Sequence, residues 1–252
     1  MKNLLNAYRE YRAAKAKSKA YRIFRYTVLL LVAAFVFLLV YPQVLFAHHV
    51  QYKNFTVYSR EPLDQNLYPV LDKVEARLAA SPINDPAVHP KIFLTNSQRL
   101  YSFLSLYIGQ NSFAKGFPLL PTTNVFVNET DLARDLVLRK APSGNQRSLS
   151  GVLAHEITHF HVRSRFGYVK NVWAPAWKRE GYAEYVAGGS TLDHDTGVRL
   201  WKAKPNDGTG YQYFKYYMMV KYVLETEKLT VDELFTRDID AAQLEQKVFS
   251  TL

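Results

Sequence analysis

The sequence contains no cysteine among its 252 residues. Disulfides, cysteine-based zinc sites and thiol nucleophiles are therefore excluded. The absence suits an oxidising compartment without requiring one. No internal repeat and no low-complexity linker divides residues 48–252, which read as one domain. Acidic residues are scarce at the start of the chain. Residues 1–25 carry Lys2, Arg9, Arg12, Lys15, Lys17, Lys19, Arg22 and Arg25, with Glu10 alone opposing them. The whole chain has a formal net charge of +10, and these eight basic residues against one acid supply +7 of it. A near-neutral body with a basic head is unlike a nucleic-acid-binding domain, and no nucleic acid is expected as a partner. Aromatic residues are plentiful, 18 Tyr and 15 Phe, which is enough for a substantial core.

Charge is missing altogether from TVLLLVAAFVFLLVYPQVLFA, Thr27 to Ala47. As a helix rising ~1.5 Å per residue, this run matches the hydrocarbon thickness of a bilayer. Core helices seldom run so far without a charge. A cleaved signal peptide has a shorter apolar region and small residues before its cleavage site, where Leu45 stands. The expected organisation is a basic cytoplasmic segment (1–25), an uncleaved transmembrane anchor helix (26–47) that contacts membrane lipid, and an extracytoplasmic domain (48–252). Basic flanks stay in the cytoplasm, so the domain is expected in a periplasmic or extracellular position, with a bacterial inner membrane as the expected site. Pro42 is placed to kink or end the span. The basic head could instead lie as an amphipathic helix on anionic lipid, although a topology signal is the simpler reading.

Within the domain, FTVYS (55–59), KIFLT (91–95) and TTNVFVN (122–128) read as strands. Leu67, Val70, Leu71, Val74 and Leu78 recur at helical spacing, predicting a helix over 67–81 that SPINDP stops. LYSFLSLYI reads as a helix closing at Gly109. A helix from Ser148, its N-cap, to Gly167, its stop, precedes a second in APAWKREGYAEYVAGG. In the latter Pro175 suits the first turn and Gly188–Gly189 the end. Residues 211–227 form a third helix, and TVDE (230–233) is a capping-box pattern opening a fourth.

VLAHEITHFH (152–161) holds three of the seven histidines. His155 and His159 are four apart, so a helix sets both imidazoles on one face, where they can share a metal ion. Glu156 follows the first and can reach a water on that metal as general base without being a ligand. The flanks Val152, Leu153, Ile157 and Thr158 are uncharged. A zinc site needs a third protein ligand. A histidine six residues past His159 is ruled out, because Arg165 stands there. The other option is a glutamate on the following helix, where Glu180 and Glu184 lie one turn apart on one face. One would be the ligand and the other a carboxylate behind a histidine.

HEITH followed by EGYAEY resembles the gluzincin metallopeptidases, which include thermolysin and the M1 aminopeptidases, and more closely the small peptidase MA-like domains. The resemblance covers about residues 124–235. It implies an α+β zincin-like fold with a small mixed sheet and active-site helices, with Glu180 as third zinc ligand beside His155 and His159, and Glu184 behind them. It also implies an edge strand ahead of the motif helix along which a peptide lies. Asn124, Val125, Phe126 and Val127 stand in that place as substrate-binding residues. His161 departs from the family pattern. Two residues past a ligand, it points away from the metal and reads as a surface or second-site histidine. The Gly-x-Met-Glu-Asn strand of the M1 enzymes is absent, which disfavours an aminopeptidase. A downstream tyrosine is implied as oxyanion stabiliser, and register against the family pattern selects Tyr213. The expected function is a membrane-anchored zinc endopeptidase with one zinc ion, acting on a peptide or protein. The alternative is an inactive metallopeptidase-like domain that binds a partner protein at the membrane.

Overall fold

A computed structural model describes residues 4–9, 11, 18–107, 112–117, 120–139, 146–203 and 210–252. The fold is mixed α+β, and the chain divides into two compact units, Met1–Val44 and Leu45–Leu252. In the first, α1 (Lys19–Val40) is long and apolar enough to cross a membrane by length and composition. At ~1.5 Å per residue it is about 33 Å long. It starts earlier than the uncharged run, so Lys19, Arg22 and Arg25 lie in its first two turns. It also ends earlier than residue 47. Pro42 has no N–H to continue the ladder and disfavours helical geometry at Tyr41, which takes φ −121° and ψ 56°. A 3-10 turn, Pro42–Leu45, follows. Phe46, inside the run expected as anchor, belongs to the second unit, where its ring lies 5.1 Å from that of Phe93.

The second unit is built on a five-stranded mixed sheet of order β1–β2–β3–β5–β4. The strands are β1 (His48–Tyr52), β2 (Phe55–Ser59), β3 (Lys91–Leu94), β4 (Ala114–Gly116) and β5 (Asn124–Val127). β2, β3 and β5 run parallel, while β1 and β4 are antiparallel edges. Alternation separates the two faces. Val57, Ile92, Leu94, Val125 and Val127 pack against Val70, Leu71, Val74 and Leu78 of α2 (Leu67–Ala79) and against the motif helix α4 (Leu149–Trp173). The opposite face carries one aromatic row in register: His49, Tyr58, Phe93 and Phe126. Tyr58 stacks on Phe93 at 4.8 Å, and Phe93 meets Phe126 at 5.4 Å. Phe93 and Phe126 are fully buried, so the central strands are covered on both faces.

α3 (Gln98–Leu104) lies against β5, and the expected stop at Gly109 falls outside the described residues. A small antiparallel sheet of β6 (Thr130–Asp131), β7 (Leu136–Val137) and β8 (Arg147–Ser148) leads into α4. Ser148 caps α4, its Oγ accepting from Gly151 N at 3.1 Å. Gly167 breaks the helix with φ 81° and ψ 169°, but a further short helical piece, Tyr168–Trp173, follows. α5 (Ala176–Val186) has Pro175 as N-cap and ends ahead of Gly188, at φ 85°. α6 (His194–Ala203) was not expected from sequence. α7 (Tyr211–Lys221) continues into a π-turn, Tyr222–Thr226. α8 (Val231–Thr236) has the capping box of Thr230 and Glu233, and α9 (Ala241–Phe249) completes the unit.

Gly181 sits where α5 crosses α7. A Cβ built there would stand 2.4 Å from the Tyr216 carbonyl oxygen and 2.8 Å from its carbon. Backbone cannot yield as a flexible side chain does, so the two helices must separate. Gly181→Ala is therefore expected to cost about 1–3 kcal/mol, the range for overpacking, read as a lower urea midpoint at unchanged slope.

Candidate metal centre

α4 and α5 pack side by side and bring three side chains to one point. His155 Nε2 and His159 Nε2 are 3.3 Å apart, as the four-residue spacing requires. Glu180 Oε2 lies 3.4 Å from His155 Nε2 and 3.6 Å from His159 Nε2. An ion held tetrahedrally at about 2.0–2.1 Å sets neighbouring ligand atoms about 3.3 Å apart, so these atoms are spaced as three corners of such a polyhedron. The residues present therefore fit a small divalent ion, and this trio is the group among the described residues that could hold one.

Glu184, one turn beyond Glu180, is fully buried, and its Oε1 lies 3.1 Å from His155 Nδ1, off the axis of a well-aligned hydrogen bond. Arg147 grips the same carboxylate with both terminal nitrogens, Nη1 donating to Oε1 at 2.8 Å and Nη2 to Oε2. Nη2 also donates to the Gly189 carbonyl at 3.3 Å. Arg147 was not anticipated from sequence, since its partner is 37 residues away and no local pattern connects them. Arg179 Nε donates to Glu180 Oε1 at 3.0 Å, occupying one carboxylate oxygen while the other faces the histidines.

Burial alone would lower the His155 imidazole, but Glu184 and Glu180 outweigh it and raise the group to about 10. Burial alone would raise the Glu180 carboxyl, yet His159 and His155 hold it far below the usual carboxylate range. Burial opposes ionisation of Glu184 too, and Arg147 and His155 overcome it. The cluster is thus built to keep carboxylates ionised in a desolvated place, which favours a cation.

Glu156 projects from α4 toward the sheet edge, where its Oε2 accepts from Gly116 N at 2.8 Å. Gly116 leaves room for this contact, because an added Cβ would lie 3.3 Å from that oxygen and 3.4 Å from Phe160 Cζ. Tyr213 on α7 is half exposed, with its ring centre 6.5 Å from that of His155. Desolvation of its hydroxyl, and then Glu180, Glu184 and Glu156, push the phenol up to about 12. A cleft of about 1290 Å³ runs along the face of α5 that carries Tyr182 and Tyr185 and includes none of these residues, so cavity size does not mark the centre.

Two expectations need correction. Asn124, Val125, Phe126 and Val127 were expected to form a substrate-binding edge strand, but β5 is buried throughout and paired on both sides, with β3 and β4. Its backbone is already spent on the sheet. The edge next to α4 is β4. His161 was expected at the surface or at a second site, and it is 3% exposed. It does point away from the cluster. Its Nδ1 accepts from Asp85 N at 3.0 Å, and burial lowers its pKa to about 4. A scan against protein-family models finds no match, and no curated protein matches the sequence.

Two outcomes are expected. Arg147→Ala strands a buried carboxylate and should destabilise the fold by about 3–5 kcal/mol, whereas adding Glu184→Gln should recover much of the loss. Urea denaturation of the single and double variants measures both. For His161, the unfolded imidazole protonates near 6.5 and the folded one near 4, so the unfolded chain binds more protons between these values. The contribution is fully present above pH 6.5 and is lost as pH falls toward 4. His161→Gln should flatten the pH dependence of stability in that window by up to about 3 kcal/mol.

Proposed function

We propose that residues 45–252 form a zinc-dependent endopeptidase of the gluzincin type, held at a membrane by α1. The observation that carries this reading is the triangle of His155 Nε2, His159 Nε2 and Glu180 Oε2 with Glu156 beside it on α4. Two imidazoles and one carboxylate are the donor set with which zinc sites keep a fourth position open. Bound there, one zinc ion supplies Lewis acidity toward a peptide carbonyl and a water that ionises near neutral pH.

The chain's own residues supply the remaining steps. Glu156 takes a proton from the attacking water and delivers it to the leaving amine. The Gly116 N–H holds its carboxylate at the sheet edge until substrate arrives. Tyr213 keeps its proton at neutral pH and donates a hydrogen bond to the oxyanion as it develops. Glu184, steadied by Arg147, orients His155 through Nδ1. β4, the last strand of the sheet on the side of α4, is where an extended peptide would pair, in exchange for the Glu156 contact at Gly116 and in the role that β5 cannot fill. The length of α1 and the basic residues ahead of its apolar part support a single span with a cytoplasmic N-terminus and the second unit on the other side. A partner-binding domain without activity would have no use for Glu156 in this place.

The test uses the full chain in detergent, loaded with zinc. His155→Ala and Glu180→Ala should lose stoichiometric metal. Glu156→Gln should retain it, while hydrolysis of a peptide library falls by at least ~10²-fold, the lower end of a general-base contribution. Undiminished cleavage by the Gln variant removes Glu156 from the mechanism. A zinc-loaded wild type that cleaves no peptide in the library turns the reading toward partner binding.

A further inference from the structure

Beyond Gly167, the short helical piece Tyr168–Trp173 presents apolar side chains to solvent. Val169 is 72% exposed, Trp173 80% and Tyr168 46%. Val169 and Trp173 are four residues apart and share one face, a turn from each other. Tryptophan is on average a highly buried residue, and the other two tryptophans of the chain, Trp177 and Trp201, are buried. The surroundings are basic. No acid stands between Glu156 and Glu180, while Arg163, Arg165, Lys170, Lys178 and Arg179 do. Arg165 is paired with Asp232 and Arg179 with Glu180, and Lys178 is buried. Among the described residues, Arg163 donates to the neutral carbonyls of Leu120 and Thr122, and its guanidinium lies 5.0 Å from the Phe160 ring and 5.2 Å from the Tyr168 ring. Lys170 is exposed. Among the described residues, half-buried Arg163, beside Tyr168, and exposed Lys170, within the piece itself, thus have no acidic partner.

We propose that the Tyr168–Trp173 piece docks into the headgroup layer of an anionic bilayer, with Trp173 and Val169 as the inserted side chains. This rests on the reading that α1 holds the chain at a membrane. Trp and Tyr settle where hydrocarbon meets headgroups, and nearby Lys and Arg are drawn to anionic lipid. Three exposed side chains are too few for a stable protein partner, whose interfaces cover about 800 Å² on each side. They suffice for lipid when the chain is already tethered, because the contact is then intramolecular in effect and weak binding is enough. The piece continues from the helix that bears His155 and His159, so docking would set the height of the candidate metal centre above the lipid surface.

The chain offers a clean probe. Residues 1–47 contain no tryptophan, so indole fluorescence reports only on the second unit, and Trp173 is its exposed member. The full chain is reconstituted into phosphatidylcholine–phosphatidylglycerol vesicles with and without bromine on the acyl chains, and association is verified by flotation after alkaline extraction. Brominated lipid should remove most of the share of emission that Trp173 contributes. Trp173→Phe should abolish the difference between the two lipids, and Val169→Asp should reduce it. Replacing phosphatidylglycerol by phosphatidylcholine should weaken it. A chain that floats but emits equally in both lipids overturns the docking and leaves the anchor standing. Quenching that persists in Trp173→Phe also overturns it, since another tryptophan then meets the lipid. A chain that does not float overturns the anchor, and the docking falls with it.

Discussion

Glu184 is fully buried and ionised, and an unpaired carboxylate in that position would cost several kcal/mol. Its compensation comes from two directions. Arg147, at the end of the small second sheet, grips it with two hydrogen bonds, and His155, on the motif helix, lies against its other side. One carboxylate therefore ties β8, α4 and α5 together. Glu180 is a turn earlier on the same helix face, so fixing Glu184 also fixes where Glu180 points. The arrangement of the cluster follows from satisfying this one buried charge.

Close approach of backbones does the rest. Gly181 lets α5 come near enough to α7 for the Tyr216 backbone to fill the space of a missing Cβ. Tyr213 lies one turn before Tyr216 on α7, so the same contact carries the Tyr213 ring up to His155. At the sheet, Gly116 gives Glu156 both the room and the N–H that hold its carboxylate at the β4 edge. Between them, two glycines position the proposed base and the proposed oxyanion donor around the histidines, while the Arg147–Glu184 pair backs His155.

The proposed reaction and the proposed lipid contact both hang on α4. Its first part carries buried His155 and partly buried Glu156 and His159, and the piece past Gly167 carries Val169 and Trp173 in the open. On the proposed lipid contact, the break at Gly167 has a use other than termination.

Sequence alone determined what depends on near neighbours. The pairing of His155 with His159 follows from helical spacing, as does the buried face of α2, and the capping box at Thr230 follows from two residues three apart. The strands β2, β3 and β5 were legible from runs of β-branched and aromatic residues, and Glu180 and Glu184 as two carboxylates one turn apart on the helix after the histidines. Tertiary structure decided what depends on distant segments. β4 has only three residues and no β-branched one, so nothing local announced that it would take the sheet edge and enclose β5. Phe46 continues an apolar run whose residues up to Val40 form α1, and packing such as its contact with Phe93 assigns it to the second unit. His161 was read as a surface or second-site histidine because it stands two residues past a ligand, and the segment that meets it lies 76 residues earlier, at Asp85. Arg147 reaches Glu184 across 37 residues. Hydrophobic spacing and caps are encoded in consecutive side chains, whereas strand order, burial and ion pairing arise only when the chain packs and desolvation forces each buried charge to find its partner.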